Sequence, residues 1–244
     1  MPPTVIDTPQ GRRIALIREA GTGPAVVFLG GFASDMAGTK AAWLADWARE
    51  GGRSFVRFDY SGHGASGGAF EDGTIGAWAQ DAEAVLDTVP GPAVLVGSSM
   101  GGWIALLLAR RAPDRVAGLV TIAAAPDFTE DAMWAGAPEA TRARLMAEGR
   151  VHLPSDYGAP MIVTRALIED GRANLVLRVP LPLPFPVRML QGTEDREVPV
   201  STALRLLGHA AGDDIRLTLV KGADHRFSTP RCLRLIAQAI GEVS

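Results

Sequence analysis

Three residues with complementary chemistry follow one another along the chain as Ser99, Asp195 and His225. Each comes just after a short apolar run that predicts a β-strand, and in an open parallel sheet such positions gather at the edge where ligands bind. A serine hydroxyl is a weak nucleophile unless a nearby base takes its proton, which an imidazole can do near neutral pH. A carboxylate orients the imidazole and stabilises its charged form. These residues predict attack by Ser99 on an acyl carbon, with His225 as base and Asp195 as acid.

The sequence around Ser99 predicts the sharp turn that such a nucleophile needs. Residues 97–101 read Gly-Ser-Ser-Met-Gly, a G-x-S-x-G match that lies between a strand-like run and a helix-like run. A second match at residues 64–68 contains Ser66, but residues 69–73 after it have the composition of a loop. The context therefore favours Ser99 as the nucleophile.

The base and the acid both have competitors in the sequence. His152 and His209 fall in stretches that favour surface positions, whereas His63 follows a strand end, as a catalytic histidine does. The order of nucleophile, acid and base along the chain, together with a position before the last helix, favours His225 over His63. Asp127 competes for the role of the acid, because it also follows a strand-like run.

Acyl transfer also needs hydrogen-bond donors for the oxyanion, each contributing about 2.7–4 kcal/mol. We expect one donor to be the backbone N–H of Met100, directly after the nucleophile. The second is expected from the loop at residues 30–34, at the N–H of Phe32. Gly31 and Ser34 of this loop are predicted to contact the substrate. A plain surface turn for the glycines and a helix cap for Ser34 are the alternatives.

Strand-like and helix-like segments alternate up to residue 125 and again from residue 185. This alternation predicts an α/β fold with a mostly parallel central sheet and helices on both faces. Thr74 and Thr229 are predicted to cap the N-termini of two of these helices. We therefore predict a core formed by residues 1–125 and 185–244, with residues 126–184 inserted as a lid.

The predicted lid differs in composition from the core. It contains two polar, helix-favouring stretches, at residues 130–148 and 162–172, and ends in alternate prolines that oppose both helix and strand. Met133 and Trp134 are apolar residues within it, and we predict that they contact an apolar part of the substrate. Packing of the lid on itself is the alternative.

Composition argues against several classes of protein. The 244 residues carry a net charge of −3 without a basic block, which argues against a nucleic-acid-binding surface. No run reaches the roughly 18 apolar residues that a membrane span needs. The first residues lack the pattern of a secretion signal, and Cys232 is the single cysteine, so we expect a cytoplasmic protein. The oligomeric state is not predictable from the sequence.

Besides the G-x-S-x-G motif at residues 97–101 and the loop at residues 30–32, residues 58–66 read Phe-Asp-Tyr-Ser-Gly-His-Gly-Ala-Ser. In these three segments the chain resembles the α/β-hydrolase superfamily, and the resemblance extends over nearly its full length. In residues 28–40, 97–103 and 155–157 it is similar, within the superfamily, to the mitochondrial palmitoyl-protein thioesterases, also described as acyl-glucuronide esterases, and to their bacterial relatives. The resemblance implies the α/β-hydrolase fold, the same catalytic triad, and a turn-shaping role for Asp59 and Gly62. We expect no mitochondrial targeting segment, and therefore a bacterial-type cytoplasmic enzyme.

The expected reaction is hydrolysis of a small-molecule carboxylic ester or acyl-thioester through an acyl-Ser99 intermediate, without a metal or an organic cofactor. Carbon–carbon bond hydrolysis and perhydrolysis use the same triad and are alternatives. A ligand receptor with low turnover on the same fold is an alternative of a different class. Dehalogenase and epoxide-hydrolase chemistry is disfavoured, because those relatives carry an aspartate where Ser99 stands. Lys40 and Lys221 are the two lysines, so lysine-based mechanisms have few candidates.

Overall fold

The structure is a computed structural model that describes residues 2–153 and 161–244. Residues 155–157, which carry part of the resemblance, lie outside the described residues. The strands are β1 (Thr4–Asp7), β2 (Arg13–Glu19), β3 (Thr22–Leu29), β4 (Arg53–Phe58), β5 (Ala93–Ser98), β6 (Val116–Ile122), β7 (Arg150–Leu153), β8 (Met161–Thr164), β9 (Val187–Gly192) and β10 (Ile215–Val220). The helices are α1 (Thr39–Glu50), α2 (Ile75–Asp87), α3 (Met100–Arg111), α4 (Glu139–Glu148), α5 (Arg165–Ala173), α6 (Val200–His209) and α7 (Pro230–Glu242).

Eight strands form one twisted sheet in the order β1-β2-β4-β3-β5-β6-β9-β10. The strands from β4 to β10 in this order pair in parallel, whereas β2 is antiparallel to both β1 and β4. The carboxyl ends of β3, β5, β6, β9 and β10 therefore share one edge. The predicted α/β fold with a mostly parallel sheet is confirmed.

Helices cover both faces of the sheet, as predicted. One apolar cluster contains residues of α2, α3 and α6, including the fully buried Trp78 and Trp103. The other contains residues of α1 and α7, including Leu44 and Ile236. Each fully buried aliphatic side chain contributes about 1.5–3 kcal/mol of hydrophobic free energy, so the two clusters hold the sheet between the helix layers. Among the described residues, no helix combines the length and apolar character needed to cross a membrane.

Two helix starts agree with the caps predicted from the sequence. The side chain of Thr74 accepts a hydrogen bond from the N–H of Ala77 at the start of α2. Thr229 does the same for the N–H of Cys232 at the start of α7. Each bond satisfies an N–H that the first helical turn leaves without a partner, which stabilises a helix by about 1 kcal/mol.

Residues 126–184, called the insert below, lie between β6 and β9 and contain α4, α5 and the antiparallel pair β7–β8. The stretch 162–172, predicted as helical, is strand at first and becomes helix at Arg165, so that part of the prediction is wrong. Pairing of β8 with β7 satisfies the backbone there, and Thr164 then caps α5 by accepting from the N–H of Leu167. Four buried residues give the insert its own apolar cluster: Leu145, Val151, Val163 and Ile168.

Asp127 connects the start of the insert to the segment that follows α5. Its fully buried carboxylate accepts hydrogen bonds from the N–H groups of Val176 and Leu177, at 2.8 and 3.0 Å, and from the guanidinium of Arg178 at 2.6 Å. Asp127 itself has a φ of 58°, a conformation that costs a non-glycine residue free energy and needs support from its surroundings. The carboxylate thus holds the start of the insert against the chain that returns from α5.

We predict that Asp127→Asn lowers the free energy of unfolding by about 2 kcal/mol. The substitution removes the charge that Arg178 pairs with, and hydrogen bonds to charged groups contribute about 1.5–3 kcal/mol each. Urea denaturation measures the change. Asp131→Asn is the matched control, because Asp131 pairs with Arg178 and Arg205 at a more exposed position, where the loss is about 1 kcal/mol or less. Equal losses would contradict the role of Asp127.

Candidate active site

Ser99 lies in a strained turn between β5 and α3. Its φ of 54° and ψ of −118° are unfavourable for a residue with a side chain, and main-chain bonds hold it there. Its N–H donates to the carbonyl of Ile122 at 2.9 Å, and its carbonyl accepts from the N–H of Ala125 at 3.1 Å. A Cβ on Gly101 would lie 2.1 Å from the carbonyl oxygen of Leu29, so this position of the motif has no room for a side chain. The turn raises the hydroxyl at the carboxyl edge of the sheet.

The structure brings the three residues predicted to react into one hydrogen-bonded line. Nε2 of His225 lies 3.1 Å from Oγ of Ser99, and Nδ1 lies 2.9 Å from Oδ2 of Asp195. Ser99 follows β5, Asp195 follows β9 and His225 follows β10. The parallel register of these strands is therefore what gathers residues that are far apart in sequence. In this arrangement His225 can accept the hydroxyl proton while its other nitrogen faces a carboxylate.

The carboxylate of Asp195 is fully buried and extensively hydrogen-bonded. Oδ1 accepts from the N–H groups of Glu197 and Val198 at 3.0 and 2.8 Å, and Oδ2 accepts from Gln191 at 3.0 Å as well as facing His225. Burial alone would raise the pKa of Asp195, but the hydrogen bonds from His225, Val198 and Gln191 lower it below its usual value. Asp195 is therefore ionised at neutral pH and its position is fixed.

The loop after β3 lies against Ser99. A Cβ built on Gly31 would be 3.4 Å from the Cβ of Ser99 and 3.5 Å from Oγ of Ser34, so Gly31 adjoins the nucleophile and Ser34 adjoins Gly31. The backbone N–H groups of Phe32 and Met100 donate no hydrogen bond to any described residue. These two amides are the ones predicted to bind the oxyanion, and they are available to do so.

The ring of Phe32 is held by other aromatic side chains. It makes edge-to-face contacts with Phe70, Trp78 and Phe128 at centroid distances of 4.9, 5.8 and 5.9 Å. Such pairs contribute about 0.5–1.5 kcal/mol each beyond their buried area. The contacts hold the ring of Phe32 in place on one side of the loop.

Residues 24–169, more than half of the chain, match the sequence profile described as the alpha/beta hydrolase fold. The chain belongs to the α/β-hydrolase family. It is 33% identical over 233 residues to palmitoyl-protein thioesterase ABHD10, mitochondrial, of Mus musculus. The aligned region covers 94% of this chain and 78% of that protein. It is 31% identical over 221 residues to the pimeloyl-[acyl-carrier protein] methyl ester esterase of Methylococcus capsulatus, which covers 75% of this chain and 81% of that protein.

Two solved structures resemble this α/β-hydrolase over nearly its whole length. A protein from Agrobacterium vitis S4 superposes with a TM-score of 0.94 at 45% identity, covering 99% of this chain and 98% of that one. Alpha/beta hydrolase domain-containing protein 10 from mouse superposes with a TM-score of 0.91 at 31% identity, again covering 99% and 98%. The resemblance predicted from the sequence segments is confirmed.

The competing residues of this α/β-hydrolase are engaged elsewhere. Oγ of Ser66 donates to the carbonyl of Asp59 and accepts from the N–H of Ala15. His63 is buried among aromatic rings, where burial lowers its pKa, and its Nδ1 faces the carbonyl of Ser61. The structure places neither residue in the hydrogen-bonded line of Ser99, His225 and Asp195.

Asp59 and Gly62 lie in the turn after β4, in agreement with the role that the resemblance implies. The carboxylate of Asp59 accepts from the N–H groups of Met36 and Ala65, at 2.6 and 2.8 Å. Gly62 has a φ of 74°, which residues with a Cβ rarely adopt. Both residues therefore shape the backbone around the site.

Met133 and Trp134 belong to the insert and pack against its apolar cluster. Together with Leu145 and other residues they line a small cavity of about 10 Å³ in its apolar cluster. The ring of Trp134 faces the guanidinium groups of Arg172 and Arg142, at 4.4 and 5.7 Å from its centroid. Packing of the insert on itself accounts for these contacts of Trp134, whereas Met133 also touches the main core. Substrate contact by either residue stays a prediction.

Two residues near the site were missed in the sequence. Phe128 lies between the rings of Phe32 and Trp103, at 5.9 and 5.6 Å, and so borders the predicted oxyanion loop. Its position directly after Asp127, a candidate for the acid, was the available signal. Glu197 lies with Oε2 3.5 Å from Nε2 of His225, two residues after the predicted acid. It adds a second carboxylate on the side of the imidazole that faces Ser99.

We predict that Asp195→Asn lowers kcat by about 10⁴-fold, as the equivalent change does in a serine protease, because the amide no longer holds the required tautomer of His225. Steady-state kinetics on a p-nitrophenyl ester measure the loss. Asp127→Asn serves as the comparison, because its carboxylate bonds to the insert and its effect on kcat of the folded enzyme should be mild. A reversal of the two effects would move the acid to Asp127.

Proposed function

We propose that this α/β-hydrolase cleaves carboxylic esters or acyl-thioesters through an acyl-Ser99 intermediate. The observation that carries the proposal is the position of His225, whose two ring nitrogens lie 3.1 Å from Oγ of Ser99 and 2.9 Å from the carboxylate of Asp195. A nucleophile, a base and an orienting acid in hydrogen-bond contact are what acyl transfer through serine requires.

In the proposed first step, Oγ of Ser99 forms a bond to the acyl carbon as Nε2 of His225 takes the hydroxyl proton. The electron pair of the carbonyl moves to its oxygen, and the N–H groups of Phe32 and Met100 stabilise this negative charge. Collapse of the intermediate breaks the C–O or C–S bond, and the proton on Nε2 passes to the leaving atom. Asp195 stays ionised throughout and stabilises the imidazolium.

In the second step, water takes the place of the leaving group. His225 removes a proton from the water as its oxygen attacks the acyl carbon of acyl-Ser99, and the same two amides stabilise the second oxyanion. The C–Oγ bond then breaks and the proton returns to Ser99. The products are a carboxylic acid and the free enzyme, so the cycle needs no oxidant, reductant or metal.

The surroundings of Ser99 support an apolar acyl group. The aromatic rings of Phe32 and Phe128 border the loop beside the nucleophile and are only partly buried. Relatives named for palmitoyl-protein thioesterase and methyl ester esterase activity act on acyl groups bound through sulfur or oxygen. A cytoplasmic location stays a prediction, because the ABHD10 relatives are named as mitochondrial.

We predict that Ser99→Ala lowers kcat by several orders of magnitude while the fold is retained, because the variant lacks the atom that bonds to the acyl carbon. A fluorophosphonate probe should label the wild type on the peptide containing Ser99 and leave the variant unlabelled, as measured by mass spectrometry. Ser66→Ala is the matched control and should be labelled normally. Labelling that persists in Ser99→Ala, or that maps to Ser66, would contradict the assignment.

We predict that Phe128→Ala changes kcat/KM unequally for p-nitrophenyl esters and acyl-thioesters of graded chain length. Removal of the Phe128 ring alters apolar contact with long acyl chains more than with short ones, and a single methylene in an apolar pocket shifts transition-state binding by about 1–3 kcal/mol.

The variant Trp134→Ala distinguishes substrate contact by the insert from packing of the insert on itself. Equal loss at every chain length together with a lower Tm would show that Trp134 only packs the insert, whereas unequal loss would show substrate contact.

A further inference from the structure

Lys40 links helix α1 to the loop that carries the proposed base. It is the second residue of α1, and its Nζ donates a hydrogen bond of 2.5 Å to the main-chain carbonyl of Arg226, the residue directly after His225. The two bonded residues are 186 positions apart in the sequence. A side chain from a distant helix thus holds the backbone next to the imidazole.

The side chain of Lys40 lies in surroundings that suit a charged ammonium group with restricted mobility. The side chain is partly buried, and loss of water lowers its pKa, while the nearby carboxylates of Asp224 and Glu197 oppose that effect. Asp224 precedes His225 in the loop, and Glu197 lies 3.5 Å from Nε2 of His225. The ammonium therefore lies among the charges that surround the imidazole.

The loop from β10 to α7 needs such support because its backbone is strained. Phe227 has a φ of 49°, and its fully buried ring belongs to the cluster under α1 and α7. A non-glycine residue keeps this conformation only when its surroundings determine it. Asp224 accepts from the N–H of Phe227 at 3.1 Å within the turn, and Lys40 binds the carbonyl between them from outside.

We propose that Lys40 is a positioning residue. It holds the His225 loop against α1, so that Nε2 of His225 keeps its hydrogen bond to Ser99 and Nδ1 keeps its hydrogen bond to Asp195. The proposal rests on the function proposed above, because it assigns a role only if His225 is the base. A displaced imidazole slows both formation and breakdown of acyl-Ser99, since the same nitrogen moves the proton in each step. The hydrogen bond of Lys40 goes to the His225 loop, whereas Phe128, which we propose to border the acyl group, belongs to the insert.

The decisive variant is Lys40→Met, which keeps most of the aliphatic stem and removes the ammonium. We expect kcat on a short p-nitrophenyl ester to fall on the order of tenfold, with KM changed less than about twofold. The rate of inactivation by a fluorophosphonate should fall by the same factor, because it depends on the same base. Lys221→Met is the matched control: it removes the other lysine, which is exposed in the loop after β10, and should leave both rates unchanged.

Lys40→Arg provides the second test, because it keeps a cationic donor on a long stem and should recover most of the lost kcat. Wild-type rates in Lys40→Met would overturn the proposal. So would a lower Tm with unchanged kcat, which indicates a purely structural contact, or an Arg variant as slow as the Met variant. If the wild type neither hydrolyses esters nor reacts with the probe, the proposed function fails and this inference with it. If the wild type is active and Lys40→Met is equally active, the inference about Lys40 fails while the proposed function stands.

Discussion

The backbone of Ser99 is held in a conformation that a residue with a Cβ adopts at a cost of about 1–3 kcal/mol. Three main-chain hydrogen bonds oppose that cost: from Ser99 to Ile122, and to Ser99 from Gly102 and Ala125. Since each contributes about 1 kcal/mol net, the strain and its support are of similar size. The turn is therefore maintained by the junction of β5 with β6, and the hydroxyl keeps its place only while that junction is intact.

The same edge of the sheet determines the positions of the other groups. Asp195 follows β9 and His225 follows β10, so the parallel pairing of neighbouring strands sets the distances along the hydrogen-bonded line. Asp195 keeps its charge in a buried place because backbone amides and Gln191 replace water around it. The chemistry thus depends on strand register first and on side-chain packing second.

Features that a local sequence pattern marks were predictable, including the positions of Ser99, Asp195 and His225 after strand-like runs. Contacts between distant segments that no such pattern marks were not predictable. The turn at Ser99 and the cap at Thr74 each depend on a few adjacent residues, so their patterns are visible in the sequence. The pairing of β8 with β7 and the contact of Lys40 with the carbonyl of Arg226 depend on how separate segments meet. The stretch 162–172 shows the limit: its composition favours helix, but pairing makes its first residues a strand.

The start of the insert meets the chain that returns from α5 at one place in the core. Asp127 touches the returning chain at Val176, and the indole of Trp103 donates to the carbonyl of Asn174 just before it. Closing a loop costs entropy that rises by only about 0.6 kcal/mol for each doubling of its length. The number of residues between these two points therefore has little effect on the stability of the sheet. The sheet would thus tolerate a longer or shorter insert, provided that the contacts made by Asp127 and Trp103 are kept.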